Sequence, residues 1–309
     1  MQTGRIEPGF RQNRKTPRSG GWRILENGLN GNITFVMFAF NEIERIRIVI
    51  KNFKPFGRIL VVDNFSTDDT VKIAREEGCD VLLHKNPGWM EDEDTVLRVK
   101  DAVKTEWIYW GYTDEMVDYP AIQEILRHIE SKKYDIINIT RKNYYYGKFL
   151  SDLHLTRTNR IFKKNALDFT GNKIHSFGRP TVSDDRIKML DGQYFVHHFI
   201  SNTAKSYLGV MDRYTDVEMH EERNRSHLRI FMYAIRLFTF DYVFRGGYKT
   251  GMAGMYINLF QVFYQFLSKM KQFEQKHGLD RRGIEDKNNI VRNKIQNDID
   301  ASIASGGTR

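Results

Sequence analysis

Polar and acidic residues close three apolar stretches of this 309-residue chain. Ile59-Leu60-Val61-Val62 runs into Asp63, Ile33 to Phe38 leads to Asn41 and Glu42, and Trp107 to Tyr112 leads to Asp114 and Glu115. A short β-branched run such as Ile59–Val62 predicts a strand buried on both faces. A carboxylate at the carboxyl end of a parallel strand lies where open α/β sheets bind ligands. There Asp63 can accept a hydrogen bond from a ribose hydroxyl or a base N–H. The other reading of Asp63 and Asp68 is that they serve the turn and the helix cap alone. Further on, Gln193 to Phe199 carries the paired His197 and His198, which point to opposite faces if the segment is a strand.

The elements that must position these groups are legible as alternating strands and helices. Asn41 and Glu42 open a helix with Ile43, Ile46, Val49, Ile50 and Phe53 on one face, closed by Pro55 and Gly57. Ser66 or Thr67 is expected to cap the next helix, with Asp68 and Asp69 in its first turn and Gly78 at its end. Val81 to His84 is a third strand, and Glu91 to Lys104 a helix whose early acids suit its dipole. Arg98 and Lys100 on that helix are available to a phosphate or substrate. Pro120 to Lys132 predicts an amphipathic helix, and Tyr134 to Thr140 a further strand followed by Tyr144, Tyr145 and Tyr146. These tyrosines read as a sugar-binding wall or as packing.

The three motifs, Asn41-Glu42, Val62-Asp63-Asn64-Phe65-Ser66-Thr67-Asp68-Asp69-Thr70 and Tyr112-Thr113-Asp114-Glu115, come in an order that resembles the nucleotide-sugar half of family-2 glycosyltransferases. The resemblance runs from Ile33 to Val117. It implies the GT-A fold: α/β, Rossmann-like, with a mostly parallel central sheet. It places Glu42 beside the nucleotide base, with Phe40 and Asn41 in the same pocket wall, and Asp63 against the uracil or ribose. Relatives usually end the fourth strand Asp-x-Asp and hold a divalent cation there. Here Tyr112 replaces the first acid, and Asp114 is left as the implied ligand for Mg²⁺ or Mn²⁺.

Asn159 to Lys164 and Gly171 to Ser176 are similar to segments of the lipopolysaccharide-core glucosyltransferase branch, with Ser176 where that branch has Glu. His198, followed by Phe199 and Ser201, fits the branch's late histidine and is implied in metal or diphosphate contact. With the Glu absent, Asp184 and Asp185 are the nearest candidates for the base that an acceptor hydroxyl needs. The implied reaction is inverting transfer from a nucleotide diphosphate sugar, UDP-linked, to a glycan or glycolipid. The alternative is an impaired relative that binds nucleotide-sugar or glycan without turnover, for which Tyr112 and Ser176 argue.

The chain divides into a basic arm (1–31), a GT-A domain (32–205, with halves 32–117 and 118–205), a helical extension (206–275) and a polar tail (276–309). A net charge of +9 favours anionic partners. No nucleic-acid motif is present, and no nucleic acid is expected. The single Cys79 fits a reducing compartment, and the N-terminus lacks the apolar core of a signal peptide. The aromatic extension, edged by Arg229, Arg236, Arg245, Lys249, Lys269 and Lys271, suits interfacial helices on an anionic membrane surface at the cytoplasmic face. Its other reading is a helical pair packed on the catalytic domain or in a dimer.

Overall fold

A computed structural model describes residues 32–86, 91–149, 155–172, 177–219 and 227–306. The basic arm, the loop at Pro87–Trp89 and the His175-Ser176 pair lie outside the described residues. In chain order the elements begin β1 (Ile33–Ala39), α1 (Ile46–Phe53), β2 (Arg58–Asp63), α2 (Thr70–Glu76), β3 (Asp80–Leu83), α3 (Glu93–Ala102) and β4 (Trp107–Tyr112). β5 (Glu115–Val117), α4 (Tyr119–Glu130), β6 (Ile136–Tyr145), β7 (Lys148–Phe149), β8 (Leu155–Lys163) and β9 (Leu167–Asp168) follow. Then come β10 (Arg179–Pro180), a 3-10 turn at Asp184–Arg186, β11 (Ile187–Met189) and β12 (Phe195–Phe199). The C-terminal part holds α5 (Ala204–Glu218), α6 (His227–Thr239), a π turn at Phe240–Phe244, α7 (Gly251–Lys276) and α8 (Arg281–Gly306).

The main sheet has the order β3-β2-β1-β4-β8-β6-β12-β5, with β7 and β11 also paired to β6. β3, β2, β1 and β4 are parallel, β8 runs against both β4 and β6, and β12 runs with β6. The carboxyl ends of β1, β2, β4, β6 and β12 therefore share one edge. This is a mixed α/β sheet with a mostly parallel centre, as the sequence resemblance implies.

Alternation along the strands builds two cores. Phe35, Met37 and Val61 meet Ile46, Ile50, Phe53, Ile122 and Ile125 on one side. Val36, Leu60, Val62 and Trp110 meet Val96, Val99 and Phe162 on the other. Both faces of β1 and β2 are thus covered, which is why these strands read as unbroken apolar runs.

Several boundaries differ from the sequence expectation. α1 begins at Ile46, because Asn41 has a φ of 56° and the chain turns before it coils. α2 begins at Thr70 with Asp69 at its cap and no side-chain cap bond. Ser66 and Thr67 instead tie the β2 loop to the β1 loop. β6 runs on to Tyr145, so Asn143 and Tyr144 are strand residues. The polar tail is helical from Arg281 to Gly306.

Candidate active site

The β1 and β2 loops are laced into one surface. Asp63 is fully buried; its carboxylate accepts from the Ser66 N–H at 2.7 Å and from Ser66 Oγ at 2.5 Å. Asn41 N–H donates to Ser66 Oγ at 2.8 Å, and Asn41 Oδ1 accepts from the Thr67 N–H at 2.8 Å. Burial is the largest single effect on Asp68 and would raise its carboxyl; hydrogen bonds from Thr70 and from the Ile43 N–H together outweigh it and hold the carboxyl down. Short polar side chains accept backbone N–H groups readily where helix and strand bonding stop. The Ser-Thr-Asp stretch therefore acts here as a loop fastener. Glu42 makes a bidentate pair with Arg45 one helical turn on.

At the next strand end, Asp114 meets His198. His198 Nε2 is 3.0 Å from Asp114 Oδ2, and its Nδ1 is 2.7 Å from Asn143 Oδ1. The parallel register that sets His198 opposite Asn143 on β6 brings all three together. Phe199 N–H donates to the Asp114 carbonyl at 2.8 Å and locks the two chain segments. Burial alone would raise the Asp114 carboxyl. The His198 charge and hydrogen bond, with the Arg141 and Arg45 charges, hold it down at about 2. Asp114 Oδ1 is buried without a hydrogen-bond partner among the described residues.

Beneath this pair lies a buried ionic group. Glu115 is fully buried; its Oε1 stands 2.6 Å from Arg141 Nε and 3.3 Å from Arg160. The Arg141 contact is off the N–H axis, an ion pair without a hydrogen bond. Arg160 also donates to the Trp110 carbonyl at 2.9 Å and lies 5.0 Å from the Tyr112 ring centre. Tyr112 Oη donates to Glu91, and burial followed by the Glu91 charge pushes its phenol well up. On α5, burial first and then the Glu91 charge raise the Tyr214 phenol.

The sequence-derived candidates are thus divided. Phe40, Asn41, Glu42, Asp63, Asp114 and His198 occupy the carboxyl-end edge of the sheet. Arg98 is exposed on α3 and paired with Asp94 at 2.9 Å, with no contact to this group among the described residues. Asp184 and Asp185 lie just before β11, which pairs with the start of β6 at Ile136. That is seven residues of β6 from Asn143, about 23 Å at about 3.3 Å per strand residue. They sit at the opposite edge and are not brought to Asp114. Residues that sequence reasoning passed over are Asn143, Arg45, Glu91 and Arg141. Arg45 had a local signal, its three-residue spacing from Glu42; the others depend on strand register.

Comparison with known proteins adds the family. Residues 34–182 match the family described as glycosyl transferase family 2. The SPbeta prophage-derived glycosyltransferase SunS of Bacillus subtilis is 28% identical over 148 residues, covering 46% of this chain and 34% of that protein. An uncharacterized glycosyltransferase of Mycobacterium bovis is 39% identical over 57 residues, 18% of this chain and 26% of that one. The chain therefore spans about a third or less of these curated relatives' length. Among solved structures, S. aureus TarS 1-349 in complex with UDP has a TM-score of 0.40 at 12% identity, covering 80% of this chain and 91% of that one. The mannosyltransferase PcManGT of Pyrobaculum calidifontis, in complex with GDP-Man and Mn2+, has a TM-score of 0.43 at 12% identity, covering 79% and 88%. Scores this low carry no argument about ligands. The matched segment, residues 34–182, is similar to glycosyl transferase family 2 and supplies the β1, β2 and β4 ends of the sheet edge described above.

Proposed function

We propose that the protein transfers a glycosyl group from a nucleotide diphosphate sugar, UDP-linked, to a hydroxyl of a glycan or glycolipid, with inversion by direct displacement. The observation that carries this reading is the Asp114–His198 pair on the same sheet edge as the Asn41, Glu42 and Asp63 loops. Asn143 fixes the His198 ring, while His198, with Arg141 and Arg45 adding to it, holds the Asp114 carboxyl down against the effect of burial. The loop surface from Phe40 to Asp68 receives the nucleoside.

A carboxylate oxygen, an imidazole nitrogen and the unpartnered Asp114 Oδ1 fit a divalent cation, Mg²⁺ or Mn²⁺. Bound there, it would offset the charge of the diphosphate leaving group. The described residues contain no group of three or more His, Cys, Asp or Glu side chains that could hold a metal, so phosphate oxygens and water must complete the shell. The separation of Asp184 and Asp185 from this edge removes both as bases in this reading.

The protein acts peripherally at the cytoplasmic face of a membrane. Exposed Leu228, Phe231 and Phe244, beside exposed Arg229 and Arg245, support this. Among the described residues no helix is long and apolar enough to cross a membrane.

UDP release from a panel of UDP-sugars with Mn²⁺ tests the reading, with Asp114→Asn as control. Wild type should release UDP and the variant should not; failure to bind any nucleotide sugar would defeat the proposal. The engagement of Tyr112 by Glu91 favours a second reading, binding without turnover. Saturable UDP-sugar binding with no UDP released would select it.

A further inference from the structure

A cavity of about 730 Å³ lies beside the candidate site, walled by Tyr144, Phe199 and Ile200 on one side and Tyr256 and Phe260 of α7 on the other. Ala204, at the start of α5, forms part of its wall. Its lining is mostly carbon, although it touches the polar centre. Phe199 and Ser201 line the cavity, and both accept from Arg45 Nη1, at 3.5 Å to the Phe199 carbonyl and 3.3 Å to Ser201 Oγ. Phe199 is also the residue whose N–H holds the Asp114 carbonyl.

At its other side the cavity continues into an exposed apolar stripe. Tyr256 belongs to the cavity wall and to a row on α7 formed by Met252, Tyr256, Leu259 and Phe263, each more than 40% exposed. Residues 251–268 carry no charged side chain. α6, packed against α7, bears a second outward row at Leu228, Phe231, Met232 and Ile235. The spacing i, i+3, i+4, i+7 is that of a buried helix face, here turned to the outside. A folded chain seldom exposes contiguous apolar surface of this extent without a use for it. Segment 227–250 carries Arg229, Arg236, Arg245 and Lys249 against one acid, Asp241. Apolar rows flanked by exposed cations complement an anionic lipid surface.

We propose that this cavity receives the apolar chain of an anionic, lipid-linked acceptor, entering from the membrane-seated α7 face with its hydroxyl-bearing end toward Asp114. The proposal rests on the glycosyl-transfer reading above and narrows its acceptor class. It assigns Tyr256 and Phe260 to acceptor binding and leaves the nucleotide loops untouched.

The test uses the full chain and farnesyl phosphate as a soluble lipid-phosphate probe, with farnesol and inorganic phosphate as separate arms, read by calorimetry. Saturable binding of farnesyl phosphate, weaker binding of farnesol and none of phosphate alone is the expected result. Ala204→Trp, which fills the cavity, should weaken that binding by about tenfold or more. It should leave UDP affinity unchanged. Phe260→Ala provides a second variant if Ala204→Trp does not fold. Binding that ignores both substitutions, equal binding of inorganic phosphate, or no binding at all would overturn the assignment. So would a lipid-free dimer, seen by sedimentation, that excludes vesicles of phosphatidylglycerol and phosphatidylcholine. UDP binding is measured on the same samples. Its loss would sink the transferase reading, whereas retained UDP binding without probe binding would sink the acceptor assignment alone.

Discussion

His198 Nε2 stands 3.0 Å from Asp114 Oδ2, although 84 residues separate the two in the chain. Asn143 Oδ1 accepts from Nδ1, so the remaining ring nitrogen is aimed at a carboxylate. Asn143→Leu would release the ring. Groups that orient a metal-binding imidazole are commonly worth about 10–100-fold in metal affinity. The variant should therefore lose at least about tenfold of Mn²⁺ affinity measured with UDP present. UDP affinity measured without metal should not change, and an unaltered Mn²⁺ affinity would count against the positioning role.

Asp63 works through the loop it holds. Removing Ser66 Oγ by Ser66→Ala should cost about 1.5–3 kcal/mol of stability in urea titration, because a buried carboxylate loses one charge-assisted bond. Asp63→Ala should weaken UDP binding by a similar amount, roughly 1.5–3 kcal/mol, whichever sugar is attached. A folded Asp63→Ala protein with undiminished UDP affinity would remove Asp63 from the nucleotide surface.

Asp135 offers a pH-dependent check on the far edge of the sheet. The Arg186 fork holds its carboxyl below the usual range, with Lys163 adding to the effect and burial opposing it. Its folded value is depressed, so the stabilisation is present at neutral pH and is lost as pH falls through the folded value. Asp135→Asn should cost about 1 kcal/mol at neutral pH. Once the pH lies below that depressed folded value it should cost nothing, since the wild-type carboxyl is then protonated too. A penalty that stayed constant with pH would show that the contact stabilises by packing.

Lys271 is one of the side chains that tie α7 to α5. Lys271 Nζ lies 2.6 Å from Asp212 and 2.5 Å from Asp216; burial would lower its ammonium, but the hydrogen bonds to both acids and then their charges raise it. Both acids are exposed, so Lys271→Met should cost about 1 kcal/mol or less. Thermal unfolding in raised salt should narrow the difference between variant and wild type. An equal difference at all salt concentrations would contradict this ionic tie.

The strand-loop-helix order and the edge where Asn41, Glu42, Asp63 and Asp114 gather were legible because β1, β2 and β4 are apolar on both faces and end in polar residues. His198 was legible through its resemblance to a late family histidine. Asn143 was not, because nothing local to β6 states which residue of β12 lies opposite. The Glu115–Arg141–Arg160 group depended on the same missing register. Asp184 and Asp185 looked available because proximity in the chain stood in for proximity in space; β11 enters the sheet from the other end. The helix-cap reading of Ser66 and Thr67 failed for a different reason. The Ser66 oxygen accepts from the Asn41 N–H and Thr67 bonds Asn41 Oδ1, so both serve the link between loops, and α2 starts later, at Thr70.

The central claim is that Asp114 and His198 bind a divalent cation together with the nucleotide. Calorimetric titration of Mn²⁺ into the protein with and without UDP tests it most directly. Binding to the protein alone should be weak, because the described residues supply too few charged ligands. With UDP it should tighten by about tenfold or more, a coupling of about 1.4 kcal/mol. Asp114→Asn should abolish that coupling. Equal Mn²⁺ affinity with and without UDP, together with full glycosyl transfer by Asp114→Asn, would contradict the account.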